Sequence, residues 1–324
     1  MRRALMLLAA CLALAAPAAA QSGPRPAWPT RPVTILVPYV AGGPSDILSR
    51  ALAQVLQPAI GQPVVVENRP GANGAVAAGL AAHAAPDGHT LIIAASGILT
   101  INPHLMRNLA YDPVRDFEPI TLAISAPNLL VTNPGFAPRT VPALIAWLQA
   151  HPGEASYGSS GIGSSEHMLM ELFAQRTGTR LTHVPYGGGA AAVPDLIAGR
   201  IQLAFLNLAT VLPQVRSGEL RAVAVSSLTP SPLLPEVPTV AATLPGLQGG
   251  SWHGFLGPKG MPEPLLDRIH AVLVAALRTP EVTERLTRIG FTVEAGSRAD
   301  FAARISQELA GWKQVVQAAG LAPD

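Results

Sequence analysis

Residues 32–96 read "PVTILVPYVAGGPSDILSRALAQVLQPAIGQPVVVENRPGANGAVAAGLAAHAAPDGHTLIIAAS", and their alternation decides the fold. Residues 33–37 are an apolar, mostly β-branched run, which predicts a buried strand. A Gly-Gly-Pro turn follows. Ile47, Leu48, Ala51, Leu52, Val55 and Leu56 then recur at helical spacing, until Pro58 and Gly61 stop the helix. Residues 64–66 predict the next strand, 75–85 the next helix and 91–94 the third strand. Strand-helix-strand-helix-strand with nearly all-apolar strands implies a parallel sheet covered on both faces.

Beyond a proline-rich connection over residues 102–119, the pattern resumes. "NLLVTN" reads as a strand and "TVPALIAWLQAHPG" as a helix with Pro142 in its first turn. "ASYGSS" is a strand, "EHMLMELFAQRTG" a helix stopped by Gly178, and "LTHVPY" a strand. "AAAVPDLIAG" is a short helix, and "IQLAFLN" and "LRAVAVSS" are strands. This is a second α/β unit. The tail predicts two amphipathic helices, 265–277 and 298–319, with "FTVEAG" between them. No internal sequence repeat is found.

With 324 residues, 49% apolar and 13% charged, the chain can bury two domain-sized cores. The first twenty residues read as an export signal: "MRR", an apolar run, then "AAA" before Gln21. Cleavage is expected after Ala20. The rival is a lipoprotein box, "LAAC", ending at Cys11. Cleavage after Ala20 removes Arg2 and Arg3, so basic residues fall from 22 to 20 against 20 acidic ones. It also removes Cys11, the only cysteine, so no disulfide is expected. Lysine occurs only at Lys259 and Lys313, which leaves no basic stripe for nucleic acid.

Four glycine-rich loops follow strands: "PYVAGGPSD", "AASG", "YGSSGIGSSEH" and "PYGGGAAA". In doubly wound sheets, ligands bind at such strand ends, beside helix N-termini with free N–H groups and partial positive charge. If the two units face each other, the loops share one cleft suited to anions. Catalysis finds no support. A G-x-S-x-G elbow is absent. "GGGAAA" is a weak dinucleotide match, because the next strand carries no acid for a ribose. The eight histidines show no zinc spacing. A small carboxylate fits better than a phosphate. Asp46 stays open between ligand contact and a first-turn acid facing the helix dipole. His167 stays open between ligand contact and packing on its own loop. Ser164 reads first as a helix cap. Trp147 and Trp252 read as core.

These stretches resemble the periplasmic substrate-binding proteins of tripartite tricarboxylate transporters, the Bug family. The likeness runs from "WPTRPVTILVPYVAGGPSD" through "VVENRPGANG", "APDGHTL", "INPHL", "YDPVRDFEPIT", "YGSSGIGSSEHMLMELF", "HVPYGGG", "LPEVPTVAA" and "SWHGFLGPKGMP" to "AGW". "VVENRPGANG", "APDGHTL" and "HVPY" in this order are specific. The resemblance implies a two-domain Venus-flytrap of the type II periplasmic binding class. Domain 1 would comprise residues 27–127 with 251–324, and domain 2 residues 128–250. A carboxylate would bind in the cleft without cofactor, metal or catalysis. Gly43 and Asp46 would belong to the first loop and Ser96 to the second. Ser160, Ser164 and His167 would belong to the third, Gly187 and Gly188 to the fourth, and Asn207 beyond.

The family implies a periplasmic monomer that hands its cargo to membrane permease subunits. A sensor kinase is the alternative partner, and a secreted hydrolase a distant alternative function. Departures from the family are Leu206, where many members carry Asp, Leu99, where histidine is frequent, and Gly187 to Gly189, which carry no side chain. They predict a roomier, more apolar cleft and a carboxylate with a hydrophobic or aromatic body.

Overall fold

A computed structural model describes residues 28–318. The expected export signal and the last residue of the 298–319 helix lie outside the described residues. The chain opens with β1 (Val33–Val37), α1 (Pro44–Ile60), β2 (Val64–Asn68), α2 (Ala75–Ala82) and β3 (Thr90–Ala95). β1 pairs in parallel with β2 and with β3, as the apolar runs require. Pro44 occupies the first turn of α1, where its missing N–H costs nothing. Gly61 ends the helix in the left-handed conformation, its N–H closing on Gln57 O. Leu48, Leu52 and Leu56 point inward and pack on Val33, Ile35 and Val37.

Two short helices follow, α3 (Ser96–Thr100) and α4 (Asn102–Leu105), and then β4 (Phe117–Thr132), a strand of 16 residues. The second half contains α5 (Val141–Ala150), β5 (Ser156–Ser159), α6 (Ser165–Thr177), β6 (Thr182–Pro185), α7 (Gly189–Ile197), β7 (Leu203–Asn207), α8 (Leu208–Ser217) and β8 (Arg221–Val225). The chain then returns through β9 (Gly250–Pro258), α9 (Glu263–Leu277), α10 (Pro280–Arg288), β10 (Thr292–Val293) and α11 (Arg298–Ala318).

β4 belongs to both halves. Residues 117–127 pair antiparallel with β9, whereas 128–132 pair antiparallel with β7 and β8. The main strand order is β2-β1-β3-β9-β4-β7-β5-β6. The sheet is therefore mixed rather than parallel. β9 arrives from the far half, so it enters the first half from the opposite end and runs against β3.

The sequence reading missed the short helices α3 and α4, the first half of β4, β9, α8 and α10. β9 is buried on both faces from Ser251 to Pro258, so it shows no alternation, and its glycines at 250, 254 and 257 break the apolar run. Close packing demands one of them: a Cβ on Gly254 would lie 2.2 Å from the Phe301 ring. In α10 only Val282 and Leu286 are buried, too few to show a period. In α8 an internal proline, Pro213, obscures the helix.

The C-terminal helices pack on the first half. Phe301 meets Trp252 edge-on at 5.4 Å, and Trp252 Nε1 donates to Glu308 Oε2 at 2.8 Å. Trp147 packs edge-on against Phe136 at 4.8 Å. Both tryptophans serve packing. Replacing Phe301 with alanine removes the ring that clamps α11 to β9. A loss of about 3–5 kcal/mol is expected in urea unfolding, with the C-terminal helix becoming the first segment cut by protease.

Candidate functional site

The four loops meet, and β9 completes the wall. One cavity is lined by Tyr39, Val40, Gly43 and Pro44 from the first loop and by Ala95, Ser96 and Gly97 from the second. Ser160, Ser164, Ser165 and Glu166 come from the third, Gly188, Gly189 and Ala190 from the fourth, and Ser251 and His253 from β9. The loops also touch each other. Val40 N–H donates to Gly187 O at 3.4 Å, joining the first and fourth. A Cβ on Gly97 would lie 2.6 Å from Gly163 O, so only glycine lets the second loop reach the third. Contact between loops from both halves shuts the cleft.

Two of the departures expected to shape the cleft do not face it. Leu206 and Leu99 are fully packed in hydrophobic clusters and do not line the cavity. The glycines of the fourth loop let it lie against the first instead of opening space. The lining combines five serines, Tyr39, Glu166 and His253 with Val40, Pro44, Ala95, Ala190 and glycine backbone; more of its open surface is apolar than polar, and no Lys or Arg reaches it.

Among the expected residues, Gly43, Ser96, Ser160, Ser164 and Gly188 line the cavity. Ser164 caps α6, its Oγ accepting the His167 N–H at 3.2 Å. The other four stand behind the wall. Gly187 contributes the carbonyl that meets Val40. Asp46 holds the first loop: it accepts from Gly42 N–H (3.0 Å), Arg50 Nε (2.9 Å) and Asn68 Nδ2 (3.0 Å). Burial alone would raise its pKa. The hydrogen bonds from Arg50, Gly42 and Asn68, with the Arg50 charge, outweigh burial and hold it below the usual carboxylate range. His167 Nδ1 accepts the Gly163 N–H at 3.1 Å, and its ring stacks on His183 at 4.1 Å. Burial pushes its pKa down to about 4, so it is a neutral prop under the third loop. Asn207 caps α8 through Ala209 N–H and donates to Ser251 Oγ at 2.8 Å, steadying β9 from behind.

Tyr39, Ser165, Glu166, Ser251 and His253 were missed as site residues. Glu166 stood inside the stretch that marked the third loop, as a first-turn acid at a helix N-terminus. Ser251 and His253 share one face of β9, a signal invisible until that strand was recognised. Two serine–histidine contacts exist, Ser45 with His253 (2.9 Å) and Ser159 with His183 (2.7 Å). Neither serine lines the cavity. Burial lowers both imidazoles, to about 3 at His253 and about 4 at His183, which leaves them poor bases. Among the described residues, no group of three or more His, Cys, Asp or Glu could hold a metal ion, and no helix is long and apolar enough to cross a membrane.

Two α/β halves joined through β4 and β9, with an enclosed cavity between their strand-end loops, define a two-domain solute-binding protein of the type II periplasmic class. The chain matches the tripartite tricarboxylate transporter family receptor (TctC) over residues 48–321, and it belongs to that family of solute-binding proteins, which are not enzymes. It is 35% identical over 309 residues to BugT of Bordetella pertussis, covering 95% of this chain and 93% of BugT. Among solved structures it resembles Rpa4515 of R. palustris with adipate, with 36% identity and a TM-score of 0.89 over 92% of this chain and all of that one. It also resembles MatC of Rhodopseudomonas palustris with bound malate, with 33% identity and a TM-score of 0.85 over 89% of this chain and all of that one.

Asp46→Asn keeps the shape but weakens the hold on Arg50 and Gly42. An expected loss of about 1.5–3 kcal/mol is measurable by chemical unfolding near neutral pH. Because the folded pKa is depressed, this contribution is present above the ordinary aspartate pKa and is lost as pH falls through the lower folded value. The gap between wild type and variant should close in strong acid.

Proposed function

We propose that this protein captures a small carboxylate in the cavity between its two halves and delivers it to the membrane permease of a tripartite tricarboxylate transporter. One observation carries the reading. The N-terminal turns of α1, α6 and α7 and the hydroxyls of five serines border one small enclosed space with no cationic side chain. Backbone N–H groups at helix starts favour negative charge, and hydroxyls donate without adding charge of their own. That set suits one or two carboxylate groups better than a phosphate. The adipate and malate named with the two R. palustris relatives support the same class.

Capture works by closure. One lobe comprises residues 28–127 with 251–318, the other 128–250. Support for this division comes from the pairing of β4, which changes partners between Pro127 and Asn128, and from β9, which begins at Gly250. Rotation about these two crossings opens the loops. A ligand touching both lobes then stabilises the closed state by its differential affinity. The protein acts as a periplasmic monomer, exported by the leader that ends near Ala20.

Thermal unfolding against adipate, malate, acidic amino acids, benzoate and nicotinate tests the ligand class. A ligand at 100 times its Kd adds about 2.7 kcal/mol, so the midpoint should rise by about 5–10 °C. No shift across the panel, in protein shown by mass spectrometry to carry no co-purified ligand, would overturn the carboxylate reading. Small-angle scattering tests the motion. The ligand-free protein should show a larger radius of gyration than the loaded one, and equal radii would count against closure.

A further inference from the structure

His253 lies on β9, is 3% exposed and lines the cavity. Its Nδ1 is 2.9 Å from Ser45 Oγ, and its Nε2 has no hydrogen-bond partner in the protein. His253 is also the only partner of the Ser45 hydroxyl among the described residues. The hydroxyl proton is satisfied when Ser45 donates to Nδ1, and this leaves the ring proton of the neutral imidazole on Nε2. A buried N–H without a partner is costly, and the adjoining cavity is where an acceptor can meet it.

Glu166 lines the same cavity from the first turn of α6, on the other half, and is 5% exposed. Its Oε2 accepts the Ser160 N–H at 3.1 Å. Burial raises its pKa despite hydrogen bonds from Ser160, Ser164 and the Asn207 backbone. The groups around it supply no positive charge. Tyr39, across the cavity, is held well above its usual range, first by its own burial and then by the Glu166 charge. His253 and His167, the latter next along α6, are both neutral by burial.

A ligand carboxylate placed here sits beside Glu166 in an enclosed space. Two carboxylates in one enclosed site cannot both stay ionised. With no Lys or Arg in the lining, a proton is the charge that resolves the conflict. We propose that the ligand carboxylate is bound together with one proton, carried on the Glu166 carboxyl, which then donates to the ligand from one wall while His253 Nε2–H donates from the other. This rests on the carboxylate reading of the cavity and adds to it a specificity rule: the ligand presents acceptors to both walls and needs no ammonium group.

Linkage gives the signature. Above the pKa of Glu166 in the free protein, each binding event takes up one proton, and affinity weakens by up to about tenfold per pH unit. Below that pKa, affinity is flat.

The test is titration calorimetry of the purified protein with adipate, malate and benzoate as probes. It is run between about pH 6 and 8, in pairs of buffers with different ionisation enthalpies. Wild type should take up close to one proton at the upper end, with Kd rising as pH rises. Glu166→Gln should abolish the uptake, flatten the pH profile and bind tighter than wild type at the upper end, because its amide donates without needing a proton. His253→Phe should raise Kd about ten- to hundredfold at every pH while leaving the proton count unchanged. Binding to wild type without proton uptake overturns the proposal and leaves the carboxylate reading standing. Binding of none of the three probes to wild type overturns both. The wild-type proton count decides even if either variant fails to fold.

Discussion

The antiparallel pairing of β4 with β9 is the constraint on which the rest of the structure depends. Their backbone ladder runs down the middle of the sheet, and β4 continues past it into the second half. A strand cannot leave one ladder without finding another, because its buried N–H and C=O groups must stay paired. The 16 residues of β4 meet that demand by changing partners along their length. The two halves are thus tied where β4 changes partners, while their strand-end loops lie opposite one another. A Venus-flytrap needs that arrangement, with strong backbone continuity on one side and small, separable contacts on the other.

Those separable contacts explain the character of the cleft. Around the cavity the two halves meet through a glycine against a carbonyl at Gly97 and Gly163, and through the hydrogen bond between Val40 and Gly187. Beside them Met168 of the second half packs with Ile101, Leu105 and Val316 of the first, so the closed state buries apolar surface as well, and a ligand adds to that balance. The site's polarity follows from the same geometry. Loops at strand ends expose helix N-termini, and hydroxyls complete them. Glu166 is the one acid in the lining; the Asp46–Arg50 pair stands behind the wall. Asp46 fastens the first loop to Arg50 and Asn68, away from the space itself.

Much of this was legible in the residues. The first three strands and the helices between them came directly from apolar periodicity, since parallel strands buried on both faces leave unbroken apolar runs. The four loops were marked by glycine, and their convergence followed from the rule that ligands bind beyond strand ends. The second half was legible for the same reason. What stayed hidden was β9, whose glycines make room for the Phe301 ring, and α10, whose buried face is only Val282 and Leu286. Missing β9 meant missing Ser251 and His253. Asp46, His167 and Asn207 stand next to the loops, in the first turns of α1 and α6 and at the end of β7. Their facing was beyond reach, because spacing along a chain does not say whether a side chain turns toward a cavity or back into its own loop.

By itself, then, the sequence determined the α/β class, the order of most elements and the glycine-rich loops that make an anion-friendly cleft. Local periodicity and turn chemistry act over a few residues and can be read there. Only the tertiary structure decided that the sheet is mixed, that Glu166 and His253 share one cavity, and that loops from both halves meet over it. Each of these depends on contacts between segments far apart in the chain. Such contacts set burial, and burial, more than residue type, determines which carboxyl has its pKa raised and which imidazole stays neutral.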